Sequence, residues 1–364
     1  GQGAMGAKVA KGQGVGESFH LTAGDSSLRE ALTEASQVDR TDAGALNLEG
    51  PLTISKTSEC FRAFLYNWWG PRIDFQGLEM HEELGSGASG LVRKVRDSKT
   101  RSFYALKIVP KPGAPKLTSL HKRRIVDEVA SLVGARHPNV VQCHGVRKVD
   151  HEVHIVMELM EDGTLASVIN NTAGYILDQK RSAGYFKGLV SGVCHLHSKD
   201  IVHGDIKPGN CLVRQETLKL SDFGSVKLPP EHWPSEDLRD EMNQWLELKE
   251  EGFVSSKNGF LKPEGTPDYM APEVCKSQGC TPKSDIWSIG ISLIVACRGA
   301  RVEDQVYETE GNVILLLGLG RIQPTIPPCP ALQTEFIRNC LALDPNLRME
   351  ANDLRAHEWI ISQS

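Results

Sequence analysis

The periodicities along this chain predict an α+β fold, with antiparallel strands first and a larger share of buried helix after them. Three observations carry that prediction. Apolar and polar residues alternate around Leu91-Val92-Arg93-Lys94-Val95 and again over Phe103–Val109, the period of half-buried antiparallel strands. A helical pattern follows over 124–132, and then an apolar strand, Ile155-Val156-Met157-Glu158-Leu159-Met160, runs into the turn Glu161-Asp162-Gly163. Further on, the apolar runs 286–297 and 313–319 are too short to span a bilayer and read as buried helix.

Length and composition bound the rest. A chain of 364 residues, 40% hydrophobic and 24% charged, can bury a substantial core and exceeds one ordinary domain. The net charge of −5 is spread along the chain, which argues against a nucleic-acid-binding surface. Nine cysteines without a Cys-x-x-Cys pair argue against zinc, and their odd number argues against a complete disulfide framework. Reduced thiols in the cytoplasm, or in the nucleus, are the simpler expectation.

Residues 1–60 read as an extension that is largely disordered. Positions 1–16 are rich in Gly, Ala and Lys and show no period. Met5 reads as the natural start, and Gly6 would then be a lipidation position. Ala10 stands where N-myristoylation needs Ser or Thr, so lipidation is set aside. Ser27-Leu28-Arg29-Glu30 has capping-box spacing and opens a short helical pattern through Ala35. The leader 61–77 is unusually aromatic, with Phe61, Phe64, Tyr66, Trp68 and Trp69. Packing on its own domain is the plainer account; docking a regulatory partner, or autoinhibition, is the sharper one.

Gly85, Gly87 and Gly90 fall between strand patterns, in Leu84-Gly85-Ser86-Gly87-Ala88-Ser89-Gly90-Leu91-Val92. A dinucleotide-binding loop needs its glycines to open a helix, so that reading fails. Lacking side chains, these residues let backbone N–H groups approach phosphate oxygens. Lys107 lies on the next strand. Pro110, Pro112, Gly113 and Pro115 break the chain before the helical pattern, whose basic start Lys122-Arg123-Arg124 reads as solvated.

The most informative stretch is His203-Gly204-Asp205-Ile206-Lys207-Pro208-Gly209-Asn210, followed by Asp222-Phe223-Gly224. Phosphoryl transfer needs a carboxylate to orient the attacking hydroxyl, a cation for the moving phosphate and oxygen ligands for magnesium. This stretch supplies all three.

Taken in order, these motifs resemble the protein kinases, serine/threonine type. The glycine loop, Tyr104-Ala105-Leu106-Lys107, the stretch at 203–210, Asp222-Phe223-Gly224, Gly265-Thr266-Pro267 through Ala271-Pro272-Glu273, Ser284-Asp285-Ile286-Trp287 and Arg348 follow the family's sequence of signatures. The resemblance covers 78–361. It implies a bilobal domain: a small antiparallel β lobe with one helix (78–160) and a larger, mostly helical lobe (161–361). ATP and Mg²⁺ are the implied cofactors, and a protein is the implied substrate.

Roles carry over residue by residue from that resemblance. Lys107 meets the α/β-phosphates and pairs with Glu128, favoured over Asp127 by its distance from His137-Pro138-Asn139. Leu84, Val92, Ala105 and Leu212 enclose the adenine, Met157 is a bulky gatekeeper, and the backbone of Glu158 and Met160 bonds the adenine edge. Asp205 is the base, Lys207 steadies the γ-phosphate, and the Thr266 hydroxyl bridges the two. Asn210 and Asp222 hold the metal. His203 and Phe223 pack, and Asp285 and a Glu273–Arg348 pair are structural.

Gly204 departs from the pattern. The family usually has an Arg there, which binds an activation-segment phosphate. No Ser or Thr lies between Leu261 and Gly265, and the segment from Asp222 to Glu273 is long for the family. Its middle, 235–251, has a helical period and reads as an inserted helix that braces the loop in place of phosphate pairing, or else as a mobile insertion. Weak or absent dependence on activation-segment phosphorylation is the expectation. The resemblance to the upstream kinases of the MAP-kinase cascade is loose, because the paired phosphosite of the MAP kinase kinases is missing. A dual-specificity enzyme of that kind and a pseudokinase scaffold are the alternatives. Intact Lys107, Asp205, Asn210 and Asp222 weigh against the scaffold.

Overall fold

The structure is a computed structural model. It describes residues 73–362 apart from 88–89, 111–118, 150–151, 228–264, 303, 305 and 310, together with Ser18–His20 and Thr53–Ser55. The chain divides into two units, Gly1–Pro71 and Arg72–Ser364. In the first, β1 (Ser18–His20) pairs antiparallel with β2 (Thr53–Ser55). The other expectations for 1–60, the aromatic run 61–69 and the inserted helix at 235–251 lie outside the described residues.

The second unit begins with the expected antiparallel sheet. Its strands are β3 (Leu78–Gly87), β4 (Gly90–Asp97), β5 (Phe103–Val109), β6 (Cys143–Val149) and β7 (Glu152–Glu158), in the order β3-β4-β5-β7-β6. Register divides the side chains between two faces. Leu91, Val95, Leu106, Ile108 and Val156 gather on one, where Ile73, Phe75, Leu78 and Tyr104 pack against them. Val92 pairs with Lys107, Lys94 with Ala105, and Ala105 with Met157, so these residues share the opposite face. Strand alternation therefore sends a core to one side and a set of cleft residues to the other.

Helix α1 (Ser119–Gly134) buries Ile125, Val126, Val129 and Ala130, and with them the carboxylate of Glu128. Past the turn at 161–163 the chain is mostly helical: α2 (Leu165–Asn170), α3 (Gln179–His197), the hairpin β8 (Cys211–Arg214) and β9 (Thr217–Leu220), α4 (Pro272–Cys275), α5 (Pro282–Cys297), α6 (Val313–Gly318), α7 (Ala331–Cys340), α8 (Ala351–Arg355) and α9 (Glu358–Ser362). Thr281 and Ser284 form a capping box at the start of α5, with Pro282 opening the helix. From Ser284 to Cys297 every residue of α5 is buried, as its apolar run predicts. The other run does not behave that way. On α6 only Leu317 is buried, while Leu315 and, just past the helix, Leu319 are 59% and 57% exposed. Six residues at the lobe's edge present one face inward, and composition alone does not reveal that. No described helix is long and apolar enough to cross a membrane.

Candidate active site

The cleft face of the sheet meets the β8–β9 hairpin around a cavity of about 490 Å³. Leu84, Gly85, Gly87, Gly90, Val92, Ala105, Lys107, Met157, Glu158, Met160 and Leu212 all line it, as do Asn210 and Asp222. The three glycines differ in kind. A Cβ at Gly85 or Gly87 would meet nothing within 4 Å, so nothing in the protein itself demands glycine there. At Gly90 φ is +125°, and a Cβ would strike the Ile108 carbonyl, so this glycine is needed to close the hairpin onto β5.

Lys107 is 4% exposed; its Nζ donates to Glu128 Oε1 at 2.7 Å and to Asp222 Oδ1 at 2.8 Å. Burial works against its charge, but the two carboxylates outweigh burial and hold the ammonium above its usual range. Asp222 is the mirror case. Burial pushes its carboxyl up, and Lys107 more than reverses this, so it stays ionised well below neutrality. The Asp222 backbone sits at φ +58°, a conformation costly for a non-glycine residue. Glu128, not Asp127, is the partner of Lys107.

Asp205 anchors a second cluster. Its Oδ1 accepts from the Thr266 N–H and hydroxyl, both at 2.9 Å. Its Oδ2 accepts from Lys207 Nζ at 2.7 Å and Asn210 Nδ2 at 2.9 Å. Lys207 Nζ also donates to Thr266 Oγ1 at 2.5 Å, so the bridge expected of that hydroxyl is made. The two clusters are stapled together. Ser221 donates its N–H and its hydroxyl to the Asn210 carbonyl, each at 2.9 Å, and His203 Nε2 lies 3.0 Å from the Ser221 carbonyl. His203 and Phe223 are fully buried, with ring centroids 5.2 Å apart.

Asn210 spends both donor contacts of its Nδ2 on Asp205, which leaves its amide oxygen for other work. With the Asp222 carboxylate at the cleft, this is an oxygen donor set suited to a hard divalent cation. Among the described residues no three His, Cys, Asp or Glu cluster as a metal cage. Two protein oxygens fit Mg²⁺, which takes its remaining ligands from phosphate and water.

Beneath Gly204, Asp285 accepts the N–H groups of His203 at 2.9 Å and Gly204 at 3.0 Å, and His197 at 2.9 Å. Gly204 has φ +78°, and a Cβ would come 2.8 Å from the Ser225 carbonyl. The departure at this position is therefore a backbone feature as well as a lost cation.

One group of contacts has no counterpart in the motif reading. Glu158 Oε1 and Oε2 lie 2.6 and 2.7 Å from Lys219 Nζ, and Oε1 accepts the Gln142 N–H at 2.7 Å. The Glu158 N–H donates to the Gln142 carbonyl at 2.9 Å. Of the Glu158 backbone, only the carbonyl can serve the adenine edge. Leu132, Val141 and Ser221 also line the cavity. Leu132 lies within α1, and Val141 and Ser221 flank motif residues, so only the fold shows that they reach the cleft.

A buried lysine between two carboxylates, with a loop of Asp, Lys and Asn beside a cleft of nucleotide size, is the arrangement that phosphoryl transfer requires. A model of the protein kinase domain matches residues 78–360. This chain belongs to the protein kinase family. It is 31% identical over 296 residues to CBL-interacting protein kinase 21 of Oryza sativa subsp. japonica, covering 79% of this chain and 50% of that protein. Mitogen-activated protein kinase kinase kinase 3 of Arabidopsis thaliana is 28% identical over 284 residues, 77% of this chain and 40% of its own length. Cytokinesis protein sepH of Aspergillus terreus is 29% identical over 292 residues, 79% of this chain and 19% of its own. The chain thus spans half or less of the length of these relatives.

Proposed function

We propose that this chain transfers the γ-phosphate of ATP to serine or threonine hydroxyls of a protein substrate, within a signalling cascade. The observation that carries the proposal is the Asp205–Lys207–Thr266 cluster facing the Lys107–Glu128–Asp222 cluster. Lys107, held charged, positions the α- and β-phosphates. Asp205 accepts the substrate hydroxyl proton as its oxygen attacks the γ-phosphorus, and the bond to the β–γ bridging oxygen breaks. Lys207 offsets charge on the moving phosphoryl group. Asn210 and Asp222 would hold Mg²⁺, which supplies neutralisation of phosphate charge. Lys207 and Thr266 support the serine/threonine reading over a tyrosine-specific one, by resemblance to that class. Free thiols at all eight described cysteines support a cytoplasmic or nuclear setting.

Weak dependence on activation-segment phosphorylation belongs to the same proposal. It is supported by Gly204, which offers no cation and sits in a left-handed backbone under the Ser225 carbonyl.

Incubation with labelled ATP and Mg²⁺, on a generic protein substrate and on the chain itself, tests the activity. Phosphoserine and phosphothreonine are expected from wild type and near-background label from Asp222→Ala. Equal labelling by both would sink the assignment, and tight ATP binding without any transfer would favour the scaffold reading. A phosphatase-treated sample is expected to keep most of its activity.

A further inference from the structure

Away from the cleft, the large lobe sets two thiols against each other. Cys297 ends α5, and Cys329 lies in the connection just before α7. Their Sγ atoms are 3.4 Å apart. Both are held in place. Cys297 Sγ lies 3.0 Å from the Leu293 carbonyl of its own helix. Cys329 stands between Pro328 and Pro330, whose rings fix φ, and its carbonyl accepts the Thr334 hydroxyl at 3.2 Å. A disulfide needs the sulfurs at about 2.05 Å, so closure asks for a shift of little more than about 1 Å. Accessibility differs between them: Cys297 is 7% exposed, while Cys329 is only partly buried.

We propose that Cys297 and Cys329 form a peroxide-sensitive dithiol that closes to a disulfide, tying the end of α5 to the connection that leads into α7. The reaction has two steps. Cys329, as thiolate, attacks a peroxide oxygen; the O–O bond breaks, the sulfur becomes a sulfenic acid, and the departing hydroxide takes a proton to become water. Cys297 then attacks the sulfenic sulfur. The S–S bond forms, the S–O bond breaks, and the Cys297 proton leaves with the hydroxide as a second water. Two electrons pass from the two thiols to one peroxide. Burial, and then the neighbouring sulfur, push the Cys297 thiol up; the partly exposed Cys329 is the thiol that a peroxide reaches first.

The bond would close the loop between positions 297 and 329, restricting the unfolded chain more than the folded one. It would clamp the far end of the helix whose Asp285 supports the backbone of His203 and Gly204. The inference does not depend on which hydroxyl the kinase phosphorylates, or on whether it phosphorylates one.

The test treats the full chain with hydrogen peroxide and maps peptides by mass spectrometry without reduction. A linked peptide containing Cys297 and Cys329, lighter by two hydrogens than the separate thiols and released by dithiothreitol, is expected. The oxidised protein should melt about 5 °C higher than the reduced one. Cys329→Ser should melt like the reduced wild type and gain nothing from peroxide. Three results would overturn the proposal: no linked peptide in wild type, Cys329 recovered as sulfinic or sulfonic acid with Cys297 untouched, or a melting rise that persists in Cys329→Ser.

Discussion

Two buried ion pairs of similar chemistry have different surroundings, and the difference separates structure from catalysis. Arg348 meets Glu273 in a fork, Nη1 to Oε1 at 2.6 Å and Nη2 to Oε2 at 2.7 Å. Its other donors are taken too, by the carbonyls of Ala342 at 2.7 Å and Lys283 at 2.9 Å, and the guanidinium lies 5.0 Å from the Trp287 ring centroid. That pair is saturated. Lys107 is as deeply buried, yet it has three N–H donors for two carboxylates, and it lines the cleft. A structural pair satisfies everything it buries; a catalytic pair keeps capacity for a ligand.

The largest effect expected around this comparison lies on the catalytic side. On the proposed mechanism Asp205→Asn should lower kcat by about 10²–10⁴-fold. Both carboxylate oxygens accept from donors, so the new amide N–H groups would face a donor and a loss of stability of roughly 1–3 kcal/mol is expected beside it. Steady-state kinetics on the folded fraction, established by a thermal melt, would separate the two effects, and a folded mutant with wild-type kcat would contradict the assignment. On the structural side the effect moves to stability. Arg348→Ala strands the Glu273 carboxylate and should cost roughly 3–5 kcal/mol, read by urea unfolding. If Arg348→Ala left stability intact while abolishing phosphate transfer, the contrast drawn here would be wrong.

Asp127 sharpens the point about partners. It neighbours Glu128 on α1, and burial lifts its carboxyl to about 6, with Arg123 and Lys227 offsetting this only in part. A folded pKa above the unfolded value near 3.8 means that the folded state holds the proton more tightly. Stability from this group is therefore full below pH 3.8 and is lost as pH rises through 6. Asp127→Asn should gain about 3 kcal/mol over wild type at pH 7.5, and the gain should shrink toward zero near pH 4. Urea titrations at the two pH values check the sign.

The smallest expected effect concerns Gly204. Gly204→Ala puts a Cβ at a positive φ and close to the Ser225 carbonyl, at a cost of roughly 1–2 kcal/mol. Equal stability of mutant and wild type would show that the backbone there relaxes freely.

Much of this molecule was legible beforehand for a local reason. Asp205, Lys207 and Asn210 fall on one loop, so their spacing already places them together. The β4 and β5 alternation likewise reports which side of the sheet each residue takes. Reading failed where the deciding neighbour was remote. Gly85, Gly87 and Gly90 look alike in the chain, but only Gly90 faces the Ile108 carbonyl. The apolar run at 313–319 looks like that at 286–297, but α5 runs through the lobe's interior and α6 along its edge.

By itself, then, the sequence determined residue types, their order and the period of each element, and these suffice for the family and the catalytic loop. Tertiary structure decided which charges meet. Lys107 and Asp222 are 115 residues apart, Glu158 and Lys219 are 61 apart, and the two thiols are 32 apart. Side-chain chemistry acts over a few ångströms, and separation along the chain does not say which groups folding brings within that range.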